Sequence, residues 1–439
     1  MRSPSLWLVD KEWRELMASK SWWIFLAVIG PLVGFTFVQA VRTYGEASGV
    51  GGTAAGVGEA FSPLVGIWAP TFSACELVAA FLLPFVAIRL VAGDRQTGAL
   101  KIELQHPMPA AARIAAKALV LAAGWLIASA APAAAIALWK LYGGSLYTPE
   151  LTTVAAGHFL NAGLTIALGS AAAAIAEHPS TAAIATLSVT VGTWIINFIA
   201  AVEGGLWERL AAYTPTSMVA DFQHGLVRLD VVLTAIALIV AGLAVAAVWL
   251  RLGVSVRRRV AESFGVAAAL SVALFAFSFA TASWDMSENR MNSFPANDEH
   301  ALRQIRGPLR IEAHLAPEDP RRLDLEHRAL SKLRRIMPGL QVRYLSATSI
   351  GLFEQTGAHY GEIWYELGGR RTMSRTTTAE GVLEAIYSVA GTPAPAESDE
   401  EVFRGHPLAV RPKGAGAVFY ILWPSVVVAT GFLVRRRHS

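Results

Sequence analysis

Residues that could do chemistry are few and scattered along this chain. Its ten histidines include no His-x-x-x-His pair, and Met286 with Met291 is too sparse for a soft-metal site. The single cysteine, Cys75, excludes an intramolecular disulfide and a thiolate metal cluster. Asp285, Glu288, Asp298, Glu299 and His300 could be mistaken for an acid/base group. These residues flank a predicted membrane exit and a helix start, where solvated polar residues are expected, so we predict neither a metal site nor catalytic residues.

The chain also lacks a nucleotide-binding motif. Residues 49–58 (GVGGTAAGVG) are rich in glycine, but no Lys-Ser or Lys-Thr follows them. The pattern G-x-x-x-x-G-K-[ST] occurs nowhere, and nucleophile-elbow and zinc-hydrolase patterns are missing as well. We therefore expect a protein that is not an enzyme, binds no cofactor and does not hydrolyse ATP by itself.

The most structured polar segment is the loop 93–117, which lies between two membrane-length apolar runs. Leu100 and Leu104 fall on one face of a short predicted helix at i, i+4 spacing, which suits an apolar contact with another protein. The residues that we assign to this contact are Gly98, Leu100, Lys101, Glu103, Leu104 and Pro107. An ordinary amphipathic interfacial loop is the alternative interpretation.

Composition and apolar runs indicate the fold class. The chain has 439 residues, of which 54% are hydrophobic and 16% are charged, whereas globular proteins contain roughly 25% charged residues. Apolar runs of about 18 or more residues are candidate membrane helices. Such runs lie at approximately 22–41, 73–92, 118–138, 151–176, 181–202, 231–250, 264–282 and 415–434. We predict a polytopic α-helical membrane protein with about eight transmembrane helices and a small α/β extracytoplasmic domain between the last two.

The positions of Lys and Arg predict the orientation. Basic residues cluster in the segments 2–20, 95–117, 251–259 and 435–437. The short loops on the other side hold only Arg42, Lys140, Arg209 and Arg228. The positive-inside rule then places both termini in the cytoplasm and residues 283–414 on the outer face of a bacterial cytoplasmic (inner) membrane. Because the basic residues lie beside membrane spans, the lipid bilayer explains them better than nucleic acid does.

Residues outside the spans predict two further elements. The segment 1–21 is predicted to be a cytoplasmic amphipathic helix at the membrane interface, with Trp7, Trp13 and Leu16 on its apolar face. The segment 283–414 is polar, and its patterns predict a strand, a helix, a second strand, a hairpin and a final helix. Its last part, 391–414, is expected to be a tether to the eighth helix.

A few polar residues occur inside the predicted spans. The candidate pathway residues are Arg89, His158, Asn161 and Asn197. The alternatives are that Arg89 extends its side chain to the membrane surface and that the other three form hydrogen bonds between helices. Because no buried pair of Asp or Glu is present, a proton-driven transporter is disfavoured.

Residues 1–252 resemble the membrane subunits of ABC-2 type transporters. The similarity lies in the Lys-Glu-Trp-Arg-Glu core of the N-terminal helix, in the loop 93–117, and in Thr214-Pro215 ahead of the sixth span. The loop residues that follow the family's pattern are Asp94, Thr97, Gly98, Leu100, Leu104, Pro107 and Lys117. This resemblance implies a permease subunit driven by a separate cytoplasmic ABC ATPase, in which residues 98–107 form a coupling helix. It also implies a second permease copy or a sibling permease.

Residues 260–439 resemble a truncated form of the GldG-like auxiliary proteins of gliding-type ABC transporters. Residues 283–294 (SWDMSENRMNSF) and the basic end GFLVRRRHS carry this similarity. The predicted domains are therefore 1–21, the permease 22–252, the seventh helix 260–282, the outer domain 283–414, and the last helix with its basic tail 415–439. The expected function is an ABC exporter permease. The alternatives are a mechanotransmission or envelope-assembly scaffold that moves no solute and, less favoured, an anchored outer-face enzyme.

Overall fold

The structure is a computed structural model that describes residues 4–49, 62–97, 108–203, 205–251, 253–316, 319–345, 359–396, 403–408 and 413–438. Most of these residues are helical. The chain divides into two compact units. The first comprises Met1–Ile196, Ala211–Met286 and Arg404–Ser439, and the second comprises Asn197–Leu210 and Ser287–Phe403.

Eight helices within the described ranges are long and apolar enough to cross a membrane, which confirms the predicted polytopic α-helical class. Spans 1 to 8 are Lys20–Ala47, Leu64–Asp94, Ala110–Leu141, Thr148–Ile175, Pro179–Glu203, Leu229–Trp249, Val256–Phe277 and Ala415–Val434. Span 7 starts earlier than the expected 264–282, because the Ser255 hydroxyl accepts a hydrogen bond from the Arg258 amide at 3.4 Å and caps its first turn. The helix of span 7 ends at Phe277. The helix of span 8 continues to His438.

Spans 2 and 3 are built from more than one helix. Span 2 consists of a π-helical turn, Leu64–Trp68, and of the helices Ala69–Phe81 and Leu83–Thr97. Span 3 consists of the helices Ala110–Ala128 and Ala130–Leu141. Pro84 and Pro132 lie in the first turns of the second helices, where a missing N–H is tolerated but the preceding helix is interrupted. Span 2 is thus interrupted just before Pro84, and its last helix continues through Arg89.

The first unit also contains short elements. They are the N-terminal helix Pro4–Ala18, a helix at Pro215–Gln223, and the strands β1 (Leu226–Arg228) and β2 (Ser283–Asp285), which pair antiparallel. Span 4 packs against spans 2, 3 and 6, so it lies at the centre of the bundle. Span 7 has no buried residue.

Span 8 packs along span 1 through glycine. A Cβ atom on Gly30 would lie 2.1 Å from Cδ1 of Trp423, and one on Gly34 would lie 2.2 Å from Cβ of Phe419. Any larger residue would therefore separate the two helices, as in other membrane helix pairs that pack on small residues four positions apart. The Trp423 indole also donates to the Leu26 carbonyl at 2.8 Å. We call Gly30, Gly34, Phe419 and Trp423 the glycine seam.

The second unit contains a four-stranded sheet with helices on one face. Its strands are β3 (Arg310–Ala313), β4 (Gln341–Tyr344), β5 (Ile363–Leu367) and β6 (Arg370–Ser374). Its helices are Leu206–Ala211, Ala296–Gln304, Pro320–Leu325, Ser331–Ile336 and Ala379–Ala390, with a π-helical turn at Glu326–Leu330. The strand order is β4-β3-β5-β6, in which only β3 and β4 are parallel.

The sequence of elements in the sheet region follows from its residues. Gly368 and Gly369 both have positive φ, of 57° and 83°, and close the β5–β6 hairpin as the sequence predicts. Ile311 and Tyr365 lie on the covered face, where they join a core with helical residues such as Ile386. From β3 onward the elements follow in the order strand, helix, strand, hairpin and helix. That this unit is a separate extracytoplasmic domain stays a prediction.

Candidate functional site: the base of the 93–117 loop

The residues assigned to a partner contact lie outside the described residues. They are Gly98, Leu100, Lys101, Glu103, Leu104 and Pro107. The structure describes the helix that leads into this loop as far as Thr97 and the helix that leaves it from Ala110 onward. The candidate site is therefore built from these two helices and from the N-terminal helix that packs on them.

Lys117 joins three elements at the base of the loop. Its side chain is only 3% exposed. The ammonium group donates to Glu12 Oε2 at 2.7 Å, to Asp94 Oδ2 at 2.6 Å and to the Leu90 carbonyl at 2.9 Å. A lysine ammonium has three protons, so each is used. Lys117 thereby links span 3 to span 2 and to the N-terminal helix.

Lys11 supplies a second cation to the same carboxylates. Its Nζ lies 3.0 Å from Asp94 Oδ1, 3.3 Å from Glu12 Oε1 and 3.1 Å from Glu15 Oε1. Asp94 and Glu12 therefore each contact both lysines, one through each carboxylate oxygen. We call Lys11, Glu12, Glu15, Asp94 and Lys117 the ion cluster.

The N-terminal helix places Glu12 in the interior. Its buried positions include Leu8, Glu12 and Leu16, which recur every four residues and so share one face. Leu16 is 1% exposed and Glu12 is fully buried, so both lie on the buried face of this helix, and its position at the membrane interface stays a prediction. Trp7 is 48% exposed, and Trp13 is half-buried. A carboxylate is tolerated on the buried face because Lys117 lies opposite it.

Burial makes the ion cluster interdependent. Loss of water raises the pKa of Glu12, and the neighbouring Lys117 opposes that rise. Removing one partner of a buried ion pair typically costs about 3–5 kcal/mol, because the other charge is left without compensation. The cluster should therefore form and break as one structure rather than contact by contact.

Three carboxylates of the cluster also meet the geometry of a cation site. One oxygen from each of Glu12, Glu15 and Asp94 lies within 4.8 Å of the others. However, the two lysine ammonium groups already contact these carboxylates at 2.6–3.3 Å. A divalent ion would have to displace Lys11 or Lys117, so the donor set fits an internal ion pair better than a metal.

The candidate pathway residues are placed differently from one another. His158 and Asn161 are buried in span 4, and His158 Nε2 lies 3.3 Å from the side-chain nitrogen of Gln223. Asn197 belongs to the second compact unit. Arg89 is exposed and lines a groove of about 780 Å³. His158 and Asn161 do not line that groove, and their role in a pathway stays a prediction.

The importance of Glu12 was not foreseen from the sequence. In the sequence, Asp94 and Lys117 stand out only as parts of a family pattern, and Lys117 falls at the end of the predicted loop 93–117. In the structure Lys117 lies inside span 3. An ionisable residue within a membrane-length helix is a functional candidate by default. Applied to the whole helix from Ala110, this rule would have found Lys117.

Comparison with known proteins identifies the family. A family model described as "ABC-2 family transporter protein" matches residues 6–226, just over half of the chain. This region contains the N-terminal helix, the ion cluster and the loop 93–117. No curated protein matched the chain, and no solved structure did. The protein belongs to the ABC-2 family of membrane transporter proteins.

Proposed function

We propose that this protein is the permease subunit of an ABC exporter, driven by a separate cytoplasmic ATP-binding subunit. Residues 98–107 dock into that subunit, and two permease halves, either two copies or this chain with a sibling, form the transport unit. Both termini face the cytoplasm of a bacterial cell, and residues 283–414 lie outside the inner membrane. The family match to residues 6–226 supports the permease assignment.

The observation that carries this proposal is the ion cluster at the base of the loop. Asp94 lies before the docking residues 98–107 and Lys117 lies after them, and their side chains meet at 2.6 Å. A force on residues 98–107 would therefore act on spans 2 and 3 together. Glu12 extends this connection to the N-terminal helix, which ends at Ala18, and span 1 begins at Lys20. The arrangement suits a part that receives movement from a partner.

Purification with the ATPase tests the proposal. An ABC ATPase should co-purify with the protein, and the permease should stimulate its ATP hydrolysis. Leu100→Asp and Leu104→Asp should abolish stimulation, because a carboxylate replaces an apolar contact. Leu100→Met is the matched control, since it keeps an apolar side chain of similar volume and should retain stimulation. Full stimulation by both Asp variants would show that this loop does not couple the two subunits.

A second candidate function is a mechanotransmission or envelope-assembly scaffold. It is favoured by the way in which the segment between the sheet region and span 8 is held. The Tyr44 hydroxyl donates to the His406 carbonyl at 2.8 Å, and the Leu408 amide donates to the Ser48 hydroxyl at 3.0 Å. The Tyr142 hydroxyl donates to the Lys413 carbonyl at 3.0 Å. These bonds attach the segment to spans 1 and 3, so movement of these spans would reach the chain that follows residue 403.

Transport after deletion of residues 285–412 distinguishes the two functions. An exporter whose outer domain is accessory should still move substrate in vesicles. A scaffold similar to the GldG-like auxiliary proteins should lose its function while ATPase stimulation persists. Transport that survives the deletion counts against the scaffold, and loss of all activity with intact ATPase binding counts against the simple exporter.

A further inference from the structure

The groove that Arg89 lines lies at one end of the membrane bundle. Its walls come from the end of the N-terminal helix and the start of span 1, from the end of span 2 and from the start of span 5. Because successive spans cross the membrane in alternate directions, these three span ends lie at the same membrane surface, the one that carries the loop 93–117. Its volume of about 780 Å³ falls in the range of sites for small molecules.

The carboxylates of the groove and its arginine are engaged differently. Glu15 and Asp94 are its carboxylates, and both already contact lysines of the ion cluster. Arg89 and His178 are its basic side chains, and both are exposed. Within the described part of the chain, no carboxylate lies within ion-pair distance of Arg89. The groove therefore offers a guanidinium group, the preferred protein group for phosphate and carboxylate ligands.

The depth of Arg89 fits an amphiphile rather than a water-soluble anion. Arg89 lies five residues before the end of span 2 at Asp94, which is about 7–8 Å along a helix axis. An arginine side chain at that distance from the end of a span can extend to the headgroup region of the membrane. Phe85 lies one turn deeper on the same face, where it is 43% exposed. With Val86 and Ala183 it gives the groove an apolar wall below the guanidinium.

We propose that this groove binds an anionic amphiphile from the adjoining membrane leaflet. Its acidic head contacts Arg89, and its hydrocarbon part lies along the wall that contains Phe85. Asp94 belongs both to this groove and to the ion cluster. A molecule bound in the groove would therefore lie next to a side chain of the ion cluster. We further infer that such amphiphiles are the exported substrates, and this step rests on the proposed exporter function. Binding in the groove itself does not require an ATPase.

Photo-crosslinking in nanodiscs tests the binding. The full-length protein is reconstituted with diazirine-labelled phosphatidylglycerol or, separately, with diazirine-labelled phosphatidylcholine. We expect phosphatidylglycerol to label the peptide that contains Phe85–Asp94 more strongly, and Arg89→Gln to reduce this labelling roughly three- to tenfold. Arg89→Lys should retain part of it. Arg257→Gln is the matched control, because it removes an exposed arginine from the start of span 7 and should leave the labelling unchanged.

Several outcomes would overturn the proposal. Equal labelling of Arg89→Gln and the wild type would show that the guanidinium does not bind the lipid, and so would equal labelling by both lipids. A second copy of the chain is the competing occupant. It is tested by Ser180→Cys in a Cys75→Ser background, where a disulfide-linked dimer would show that another protomer covers the groove. Specific labelling of a protein with which no ATPase co-purifies would support binding in the groove and would count against the exporter function alone.

Discussion

The N-terminal helix and span 1 are held by opposite kinds of interaction. The ion cluster joins the N-terminal helix to spans 2 and 3 through five charged side chains. The glycine seam joins the middle of span 1 to span 8 through shape and a single indole hydrogen bond. The ion cluster stabilises the protein only while all of its charged partners are present. The glycine seam requires that Gly30 and Gly34 carry no side chain.

This difference separates a contact that can be rearranged from one that is fixed. An ion pair can exchange partners, and Asp94 and Glu12 each already contact two lysines. Gly30 and Gly34 have no alternative packing once Trp423 and Phe419 occupy their surface. We therefore expect changes in the cluster to affect both stability and coupling to a partner. Changes in the seam should affect mainly the attachment of span 8.

The largest effect is expected from Lys117→Met. It leaves Glu12 and Asp94 buried with only Lys11 to compensate them, so the free energy of unfolding should fall by about 3–5 kcal/mol. The measurement is the thermal unfolding of the purified protein in nanodiscs. The double variant Glu12→Met with Lys117→Met removes one charge of each sign and should recover most of that loss. If the two single effects simply add in the double variant, the cluster is not one cooperative structure.

A smaller effect is expected from Gly34→Val. The added Cβ would overlap Phe419, so span 8 must move away, at a typical overpacking cost of about 1–3 kcal/mol. Gly192→Val in span 5 is the control, since a Cβ added there meets no described atom within 4 Å. Disulfide formation between cysteines introduced in spans 1 and 8 reports the separation. Unchanged formation in Gly34→Val would contradict the tight packing of the seam.

Trp423→Phe should have a milder effect on the seam. It removes the hydrogen bond to the Leu26 carbonyl, which is worth about 0.5–1.5 kcal/mol, together with part of the ring. Trp22→Phe removes the same atoms from a buried indole whose nitrogen has no partner among the described residues. The difference between the two unfolding midpoints isolates the hydrogen bond. Equal midpoints would show that shape alone holds span 8.

The smallest effect concerns pH and should appear only at the cluster. Burial raises the pKa of Glu12, and this effect outweighs the lowering by the nearby Lys117. The folded protein therefore binds the Glu12 proton more tightly than the unfolded chain does. The stability that this group contributes is thus fully present below its ordinary pKa of 4.5 and is lost as the pH rises through the raised value. The midpoint of the wild type relative to Glu12→Gln should therefore fall as the pH rises. The midpoint of Gly34→Val relative to the wild type should not change, since the seam has no titratable group.

The same contrast explains what could be predicted from the sequence. The eight spans and the hairpin at Gly368-Gly369 were predictable because each depends on its own residues and their neighbours. The Lys117–Glu12 pair joins residues 105 positions apart, and the Trp423–Leu26 contact joins residues 397 apart. No local pattern encodes either partner. The sequence does contain a pattern that indicates one side of the seam, since Gly30 and Gly34 form a Gly-x-x-x-Gly pair within an apolar helix.

Because the Lys117 ammonium group donates all three of its protons in hydrogen bonds, its chemical reactivity should depend on whether the ion cluster is closed. A free lysine amine reacts with acylating reagents, but the Lys117 nitrogen is enclosed and donates three hydrogen bonds. It can react only when the cluster opens. The rate of acylation at Lys117, followed by peptide mass spectrometry, would therefore record how often the base of the loop separates. The acylation rate of this lysine would thus measure the movement of the helices that it joins.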